Sequence, residues 1–516
     1  MARPADYIIL NSVGVHPPGY FLLLHFFTSA AGLSAFSVRM PSVLVGIATV
    51  PLIYQVARLL FGHRAGLLAA LLLALSPFHI GRSQEARMYP LVVFLSLLSL
   101  YLMLRLMLPA RATKRRSLWI GYVLVATCTI FVHYYAALFV LAQTVFVVIW
   151  RRQDVGLVRR WLLAQVAVMA FLAPWFIYRA PDIWRSVNEK VLVEEAASDG
   201  FVTYWQKYLG AMGEGYLFSG WGMLLILLVL AVGVVVWTRR RPERQVFPSL
   251  SLCLVLFLVP VLLGFLMNLR WPFDSFPRLL SPTLAPLYVL AAIGLLGLGS
   301  PMSGRLLWAT LLLVVAGGAH ELFVYYQRTT DLQGQDYRPL IRELRSRFEP
   351  QDAIGLEFPW QVGYFRAYSP ELMSSVYYTL EVLPVTNKTT QRKEALRAIW
   401  EARSDIRDVY LLWNGWAPSR WEEAMDDWWS KTAEATAVEG DLVGLAIWNY
   451  RYLPTASKAK LDDIIEGHKR LWLPTFGSTD GEIDRGVEGY LTDNYQKVYQ
   501  EAISLNRLIL FTLPHL

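Results

Sequence analysis

Only two cysteines occur in 516 residues. Cys128 and Cys253 both fall inside apolar runs, which excludes a disulfide framework and a cysteine metal site and makes them small core residues. No cluster of His and Asp has ligand spacing, so the sequence calls for no cofactor and leaves a divalent metal open. Residues 1–30 lack the basic start and apolar core of a signal peptide. Internal repeats and low-complexity linkers are absent as well.

The most telling shortage is of charge. Asp, Glu, Lys and Arg are missing throughout Met40–Ala57, Ala65–Gly81, Met88–Leu104, Leu118–Trp150, Trp161–Tyr178, Gly215–Thr238, Gln245–Leu269, Leu279–Gly304 and Leu306–His320. A membrane-spanning helix needs about 20 mainly apolar residues to cross about 30 Å of hydrocarbon. The Leu118–Trp150 run is too long for one helix and carries His133, Tyr134 and Tyr135 at its middle. It reads as two spans meeting at a polar turn, which brings the total to about ten. Apolar residues at 55% and a mean hydropathy of +0.38 fit no ordinary soluble enzyme.

A net charge of +8 invites a polyanionic partner, but its distribution excludes nucleic acid. Residues 1–326 carry +14 and residues 327–516 carry −6. The basic residues of the first part cluster in alternate loops: Arg111 to Arg116, Arg151 to Arg160, and Arg239 to Arg244. Short loops rich in Lys and Arg stay cytoplasmic, so the other connections face outward. These are the stretch 1–38, the Arg82–Tyr89 corner, the His133–Tyr135 turn, the Arg179–Glu214 loop and Arg270–Arg278. Three parts follow: an outer loop and interfacial segment at 1–38, a transmembrane bundle at 39–326, and an extracytoplasmic α/β domain at 327–516. In that last part Asp336–Phe348, Gln391–Ala402, Arg420–Lys431 and Tyr490–Leu505 read as helices, and Ala353–Glu357, Val409–Trp413 and Leu445–Tyr450 as strands.

Three constellations lie on the outer face. His16-Pro17-Pro18-Gly19-Tyr20 forces a turn before an apolar segment, because two prolines fix φ and remove two donors. Ser83-Gln84-Glu85-Ala86-Arg87-Met88-Tyr89-Pro90 sets a carboxylate and a guanidinium at a membrane boundary, where ionisable groups are costly. Glu85 there suits proton transfer or a hydroxyl, and Arg87 suits a phosphate. Arg270 to Pro282 adds Arg278 among prolines. Each also reads blandly: a helix start with an exposed histidine, an interfacial ion pair with Tyr89 as anchor, and a snorkelling arginine.

With Arg39-Met40-Pro41-Ser42 and Ser76-Pro77-Phe78-His79 between them, these motifs resemble the GT-C superfamily. They are most similar to bacterial relatives of protein O-mannosyltransferases and aminoarabinose transferases. Pro277-Arg278-Leu279-Leu280-Ser281-Pro282 matches a later element of that family. The resemblance covers roughly residues 12–330. It implies a GT-C helical bundle and inverting transfer of a sugar from a polyprenyl phosphate donor to a glycan, lipid or protein acceptor outside the cell membrane. By the same carry-over Glu85 is the family's second acidic position and the candidate catalytic residue here, His16 lies in the first outer loop, and Arg87 and Arg278 are candidate ligands of the lipid phosphate. Gln84 and Tyr89 belong to the substrate-binding string. His133 and Tyr134 join the substrate-binding set by topology alone. The family also has an acidic residue, usually followed by Glu, some 20–30 residues before His-Pro-Pro. Only fifteen residues precede His16 here, and Asp6 lies too close. The expectation is therefore a start that lies upstream. Two other classes stay in view: a catalytically inactive relative that binds lipid-linked sugar, and a transporter or flippase.

Overall fold

The computed structural model describes residues 16–107, 112–194, 200–213, 231–239, 246–271 and 276–299 apart from positions 33 and 35. It also describes short runs within 312–327 and, beyond them, 337–356, most of 364–378, 457–458, 467–475 and most of 488–513. Two compact units emerge, Met1–Gln327 and Arg328–Leu516.

Helices make up the described part of the first unit. They are α1 (Gly19–Ala31), α2 (Met40–Phe61), α3 (His63–Ala74), α4 (Pro77–Gln84), α5 (Tyr89–Met107) and α6 (Ala112–Val132). After them come α7 (Ala136–Trp150), α8 (Val155–Glu194), α9 (Phe201–Gly213), α10 (Val246–Arg270) and α11 (Leu284–Gly299). Six stretches of helix among the described residues are long and apolar enough to cross a membrane, or seven if the bent pair α3–α4 counts as one. The chain is a polytopic membrane protein. Ile47, Leu163, Phe171 and Ile177 all leave their helices more than half exposed, which water would not tolerate across so wide a belt and lipid does.

The long apolar run breaks where its polar centre predicts. α6 ends at Val132, α7 begins at Ala136, and His133 to Tyr135 form the turn. The expected loop at Arg179–Glu214 is instead largely helical. α8 continues to Glu194, and α9 returns with Tyr204 and Tyr208 buried. Its aromatic face at 204, 205 and 208 has helical spacing, which the charges around it hid. Cys253 is buried as expected, but Cys128 sits on an exposed helix face.

Polar groups join the helices inside the bundle. Tyr122 donates to Gln143 Oε1 at 3.0 Å and accepts from Gln165 Nε2 at 3.1 Å, while Gln143 Nε2 donates to Ser99 Oγ at 2.8 Å. Four helices, α5 to α8, thus share one network, each such bond contributing about 0.6 kcal/mol in lipid.

The second unit holds α12 (Arg338–Arg347) and a mixed sheet of order β3-β2-β1-β4-β6-β5. Its strands are β1 (Asp352–Leu356), β2 (Val376–Tyr378), β3 (Ser457–Lys458), β4 (Arg470–Thr475), β5 (Gln496–Ile503) and β6 (Asn506–Thr512). β1 pairs in parallel with β2 and β4, and β6 pairs antiparallel with β4 and β5. Every residue of β1 is buried, as a central parallel strand requires. Asp352 anchors it: its carboxylate takes Arg470 Nε at 2.7 Å, Arg470 Nη2 at 2.6 Å and the Trp472 indole at 2.8 Å. The final helix expected at Tyr490–Leu505 is not formed as such, since β5 occupies its second half. From Gln496 to Gln500 its residues alternate between exposed and half-buried, a period of two that Tyr and Val favour. The elements expected at Gln391–Ala402, Val409–Trp413, Arg420–Lys431 and Leu445–Tyr450 lie outside the described residues.

Candidate active site

The site is built first by a sharp corner. Ser76 caps α4 by accepting the His79 N–H at 3.1 Å, and Pro77 presets the first turn. α4 is bent 56° from α3. It lies directly on α2, with His79 Nε2 donating to the Gly46 carbonyl at 3.1 Å. A Cβ at Gly46 would stand 2.3 Å from Ser83 Oγ, so only glycine lets the two helices meet.

α4 stops at Gln84, and Glu85 turns extended. Its Oε1 pairs with Arg82 Nη1 at 2.7 Å. Its Oε2 is shut off from solvent and has no hydrogen-bond partner among the described residues. The partner of Glu85 is therefore Arg82, one turn back on α4, and not the Arg87 that the sequence reading placed beside it. The guanidinium of Arg87 is exposed and makes no ion pair among the described residues. Gln84 donates to the Tyr326 hydroxyl at 2.8 Å.

The backbone of Arg87 is held by a relay. Ser42 Oγ donates to the Arg87 carbonyl at 3.0 Å and lies 2.9 Å from the Tyr20 hydroxyl. Serine has one proton, and it is spent on the carbonyl, so Tyr20 donates to Ser42. The helix after His16-Pro17-Pro18, the helix after Arg39-Met40-Pro41 and the Glu85–Tyr89 corner are thereby tied together.

His133 is the second centre. Its ring lies 5.8 Å from His16, 6.1 Å from Tyr89 and 6.0 Å from Tyr135. Nδ1 accepts the Tyr135 N–H at 3.3 Å. That puts the proton on Nε2, which is buried and has no acceptor among the described residues. Burial first, and the neighbouring His16 second, push the imidazole down to about 3, so it is neutral at ordinary pH. Gly19 permits this gathering: a Cβ there would stand 2.6 Å from the Phe131 carbonyl at the end of α6.

Tyr134 points elsewhere. Its hydroxyl accepts from the Trp175 indole at 2.9 Å, and its ring lies against Phe176. Close by is Arg179, only 6% exposed, its guanidinium carbon 5.8 Å from the ring centroids of both Trp175 and Tyr178. Sequence reasoning missed this buried arginine because it heads a polar stretch. The aromatic run Trp175, Phe176, Tyr178 just before it was the available signal.

Arg278 is half-buried in a short helix, Phe276–Leu279, that packs against α9. The following 3-10 turn, Ser281–Thr283, packs against α5 and α7, and Thr283 Oγ1 bonds the Tyr208 hydroxyl of α9. No hydrogen bond or ion pair among the described residues joins Arg278 to Glu85 or Arg87. The structure thus ties His16, Tyr89 and His133 into one cluster, sets Gln84, Glu85 and Arg87 on the adjoining corner, turns the Tyr134 side chain from the same turn toward α8, and leaves Arg278 on a separate element. Among the described residues no three His, Cys, Asp or Glu are grouped to hold a metal.

Residues 15–178 match the family model described as dolichyl-phosphate-mannose-protein mannosyltransferase. The matched stretch contains every predicted site residue except Arg278. The crystal structure of ArnT from Cupriavidus metallidurans in the apo state matches 97% of this chain and 88% of its own, at 14% identity and a TM-score of 0.54. The same protein bound to undecaprenyl phosphate matches over 96% and 87%, at 14% identity and a TM-score of 0.53. The chain has the ArnT fold, a helical bundle of GT-C type. No curated protein matches it in sequence. Within the GT-C bundle, the corner and the His133 cluster lie where α5 begins and where α6 gives way to α7. Those two points are at the same end of the bundle, because the α5 and α6 helices run antiparallel.

Proposed function

We propose that the chain is a membrane glycosyltransferase that moves a sugar, with inversion, from a polyprenyl phosphate to an acceptor hydroxyl outside the membrane. The observation that carries this is the Tyr20–Ser42–Arg87 relay. It locks three motif segments around Glu85 and leaves the Arg87 guanidinium without an ion-pair partner among the described residues, free for a phosphate. The lipid phosphate in the ArnT crystal structure supports the donor class, as does the mannosyltransferase family match.

In this reading the acceptor oxygen attacks the anomeric carbon from the face opposite the lipid phosphate. The bond between that carbon and the phosphate oxygen breaks, and its electron pair leaves with the phosphate. The acceptor proton passes to Glu85 Oε2, the oxygen that Arg82 leaves open, while Arg82 fixes the carboxylate through Oε1. Arg87 and Arg278 neutralise the departing phosphate. His16, Gln84, Tyr89, His133 and Tyr134 shape the sugar pocket, and neutral His133 offers its Nε2–H to a sugar oxygen. The outward direction rests on the Lys/Arg asymmetry, and the domain boundaries near residues 38 and 326 follow from it.

The test supplies proteoliposomes of the full chain with 32P-labelled undecaprenyl phosphate carrying mannose, glucose or aminoarabinose, and follows release of the free lipid phosphate. Glu85→Gln is expected to lower release about 100-fold or more. Unchanged turnover by that variant removes Glu85 from the mechanism. Labelling of a cysteine placed in Arg111–Arg116 by an impermeant reagent outside the cell overturns the orientation.

A further inference from the structure

The opposite, basic end of the bundle holds a second site that the transfer reaction does not use. A groove of about 450 Å³ runs between α6 and α8, lined by Trp119, Ile120, Val123 and Leu124 on one side and Arg160, Leu163, Ala164 and Phe171 on the other. Its size falls within the roughly 300–1,000 Å³ of pockets that take small molecules. The two helices run in the same direction, because α7 returns the chain between them. Trp119 and Trp161 stand level, with ring centroids 6.2 Å apart. Arg115 and Arg116 lie about one turn before Trp119 on α6, and Arg159 and Arg160 stand just before Trp161 on α8. From Arg160 to Phe171 the groove extends about 16 Å along α8, all of it apolar past its mouth.

Two buried donors on α6 lack acceptors. Arg115 Nε and Trp119 Nε1 are shut off from water, and neither has a hydrogen-bond partner among the described residues. They sit four residues apart, on one face of α6. Unsatisfied buried donors are costly. Trp119 and Arg160 line the groove, and Arg115 lies one turn before Trp119 on the same face of α6. An acceptor-rich anion attached to a hydrocarbon chain would satisfy all three features together. Ile120, Leu124, Leu163 and Phe171 are each more than half exposed along the channel, so the tail has an unbroken apolar bed.

We propose that this groove is a binding site for an anionic phospholipid, with the phosphate at Arg115 and Arg160, an ester oxygen at the Trp119 indole, and one acyl chain lying between α6 and α8. Arginine clusters at the ends of membrane helices recognise such headgroups. A zwitterionic lipid carries an ammonium that the arginines repel, so selectivity follows from charge.

Native mass spectrometry of the detergent-purified full chain, titrated with equal dioleoyl-phosphatidylglycerol and dioleoyl-phosphatidylcholine, tests this. The first lipid bound should be phosphatidylglycerol in at least about tenfold preference, since each arginine near a headgroup favours it about fivefold. The double variant Arg115→Gln/Arg160→Gln should lose that preference, and Trp119→Phe should weaken the first binding step without abolishing selectivity. Arg151→Gln/Arg152→Gln removes two exposed charges from the same end but outside the groove, and should bind as the parent does. Equal binding of the two lipids by the parent chain overturns the proposal. So does an equal loss in the Arg151/Arg152 control, which would make the effect one of general surface charge. Should Arg115→Gln/Arg160→Gln aggregate, Arg160→Glu alone carries the test, because Arg160 is exposed and its reversal leaves the helix packing intact.

Discussion

The relay from Tyr20 through Ser42 to Arg87 predicts an unequal response to removing its members. Tyr20→Phe deletes one hydrogen bond and leaves only a serine lone pair unused, at a cost of about 1 kcal/mol. Ser42→Ala deletes two bonds. It strands the Tyr20 hydroxyl, whose residue is 1% exposed, and frees the Arg87 carbonyl. A stranded buried hydroxyl alone costs about 1–3 kcal/mol, so Ser42→Ala should cost about 2–4 kcal/mol. Adding Tyr20→Phe to Ser42→Ala removes the stranded hydroxyl, so the double variant should be more stable than Ser42→Ala alone by about 1 kcal/mol or more. Equilibrium unfolding of the four proteins in mixed micelles measures the cycle. Turnover should follow the same order, because the relay sets the position of Arg87. Additive losses, or a Tyr20→Phe loss as large as that of Ser42→Ala, would refute the direction assigned to the relay.

Three further outcomes follow from the same contacts. His133 is held down to about 3 in the folded protein against an ordinary value near 6.5, so the unfolded chain binds more protons as pH falls below about 6.5. Stability should drop by about 2 kcal/mol between pH 6.5 and 5; His133→Asn should flatten that slope, and chemical unfolding at several pH values measures it. Gly19→Ala places a methyl 2.6 Å from the Phe131 carbonyl and should destabilise the bundle by about 1–3 kcal/mol, whereas Gly210→Ala, inside α9 with open space around it, should not. Asp352→Asn breaks a buried pair with Arg470, the Asp352 side chain being 1% exposed. It should cost the second unit about 3 kcal/mol or more, seen as faster proteolysis at its strands while the membrane helices stay protected.

Much of this architecture is legible in the residues because hydropathy is a local property. The apolar runs name the six or seven described spans of the roughly ten expected, those at Gly215–Thr238 and Leu306–His320 lying mostly outside the described residues, and the polar triplet at His133 marks where one run becomes two helices. Arg338–Arg347 announces a helical period and Asp352–Leu356 a short, fully buried strand. The errors share one cause: local composition outweighed a weaker periodic signal. Charges hid the helix at Phe201–Gly213, and the helical look of Tyr490–Leu505 hid the edge strand β5.

The site divides in the same way. Sequence alone determined which residue types stand at one end of the bundle, because alternating spans send every second connection to the same side. It did not determine their partners. Glu85 meets Arg82 because α4 runs on to Gln84 and brings the two within a turn. His133 meets His16 and Tyr89 because Gly19 lets α1 close on the end of α6. Arg179 is buried beside the Trp175 and Tyr178 rings of its own helix. Each of these depends on how two helices approach, which side-chain volume and shape decide only once the helices are packed.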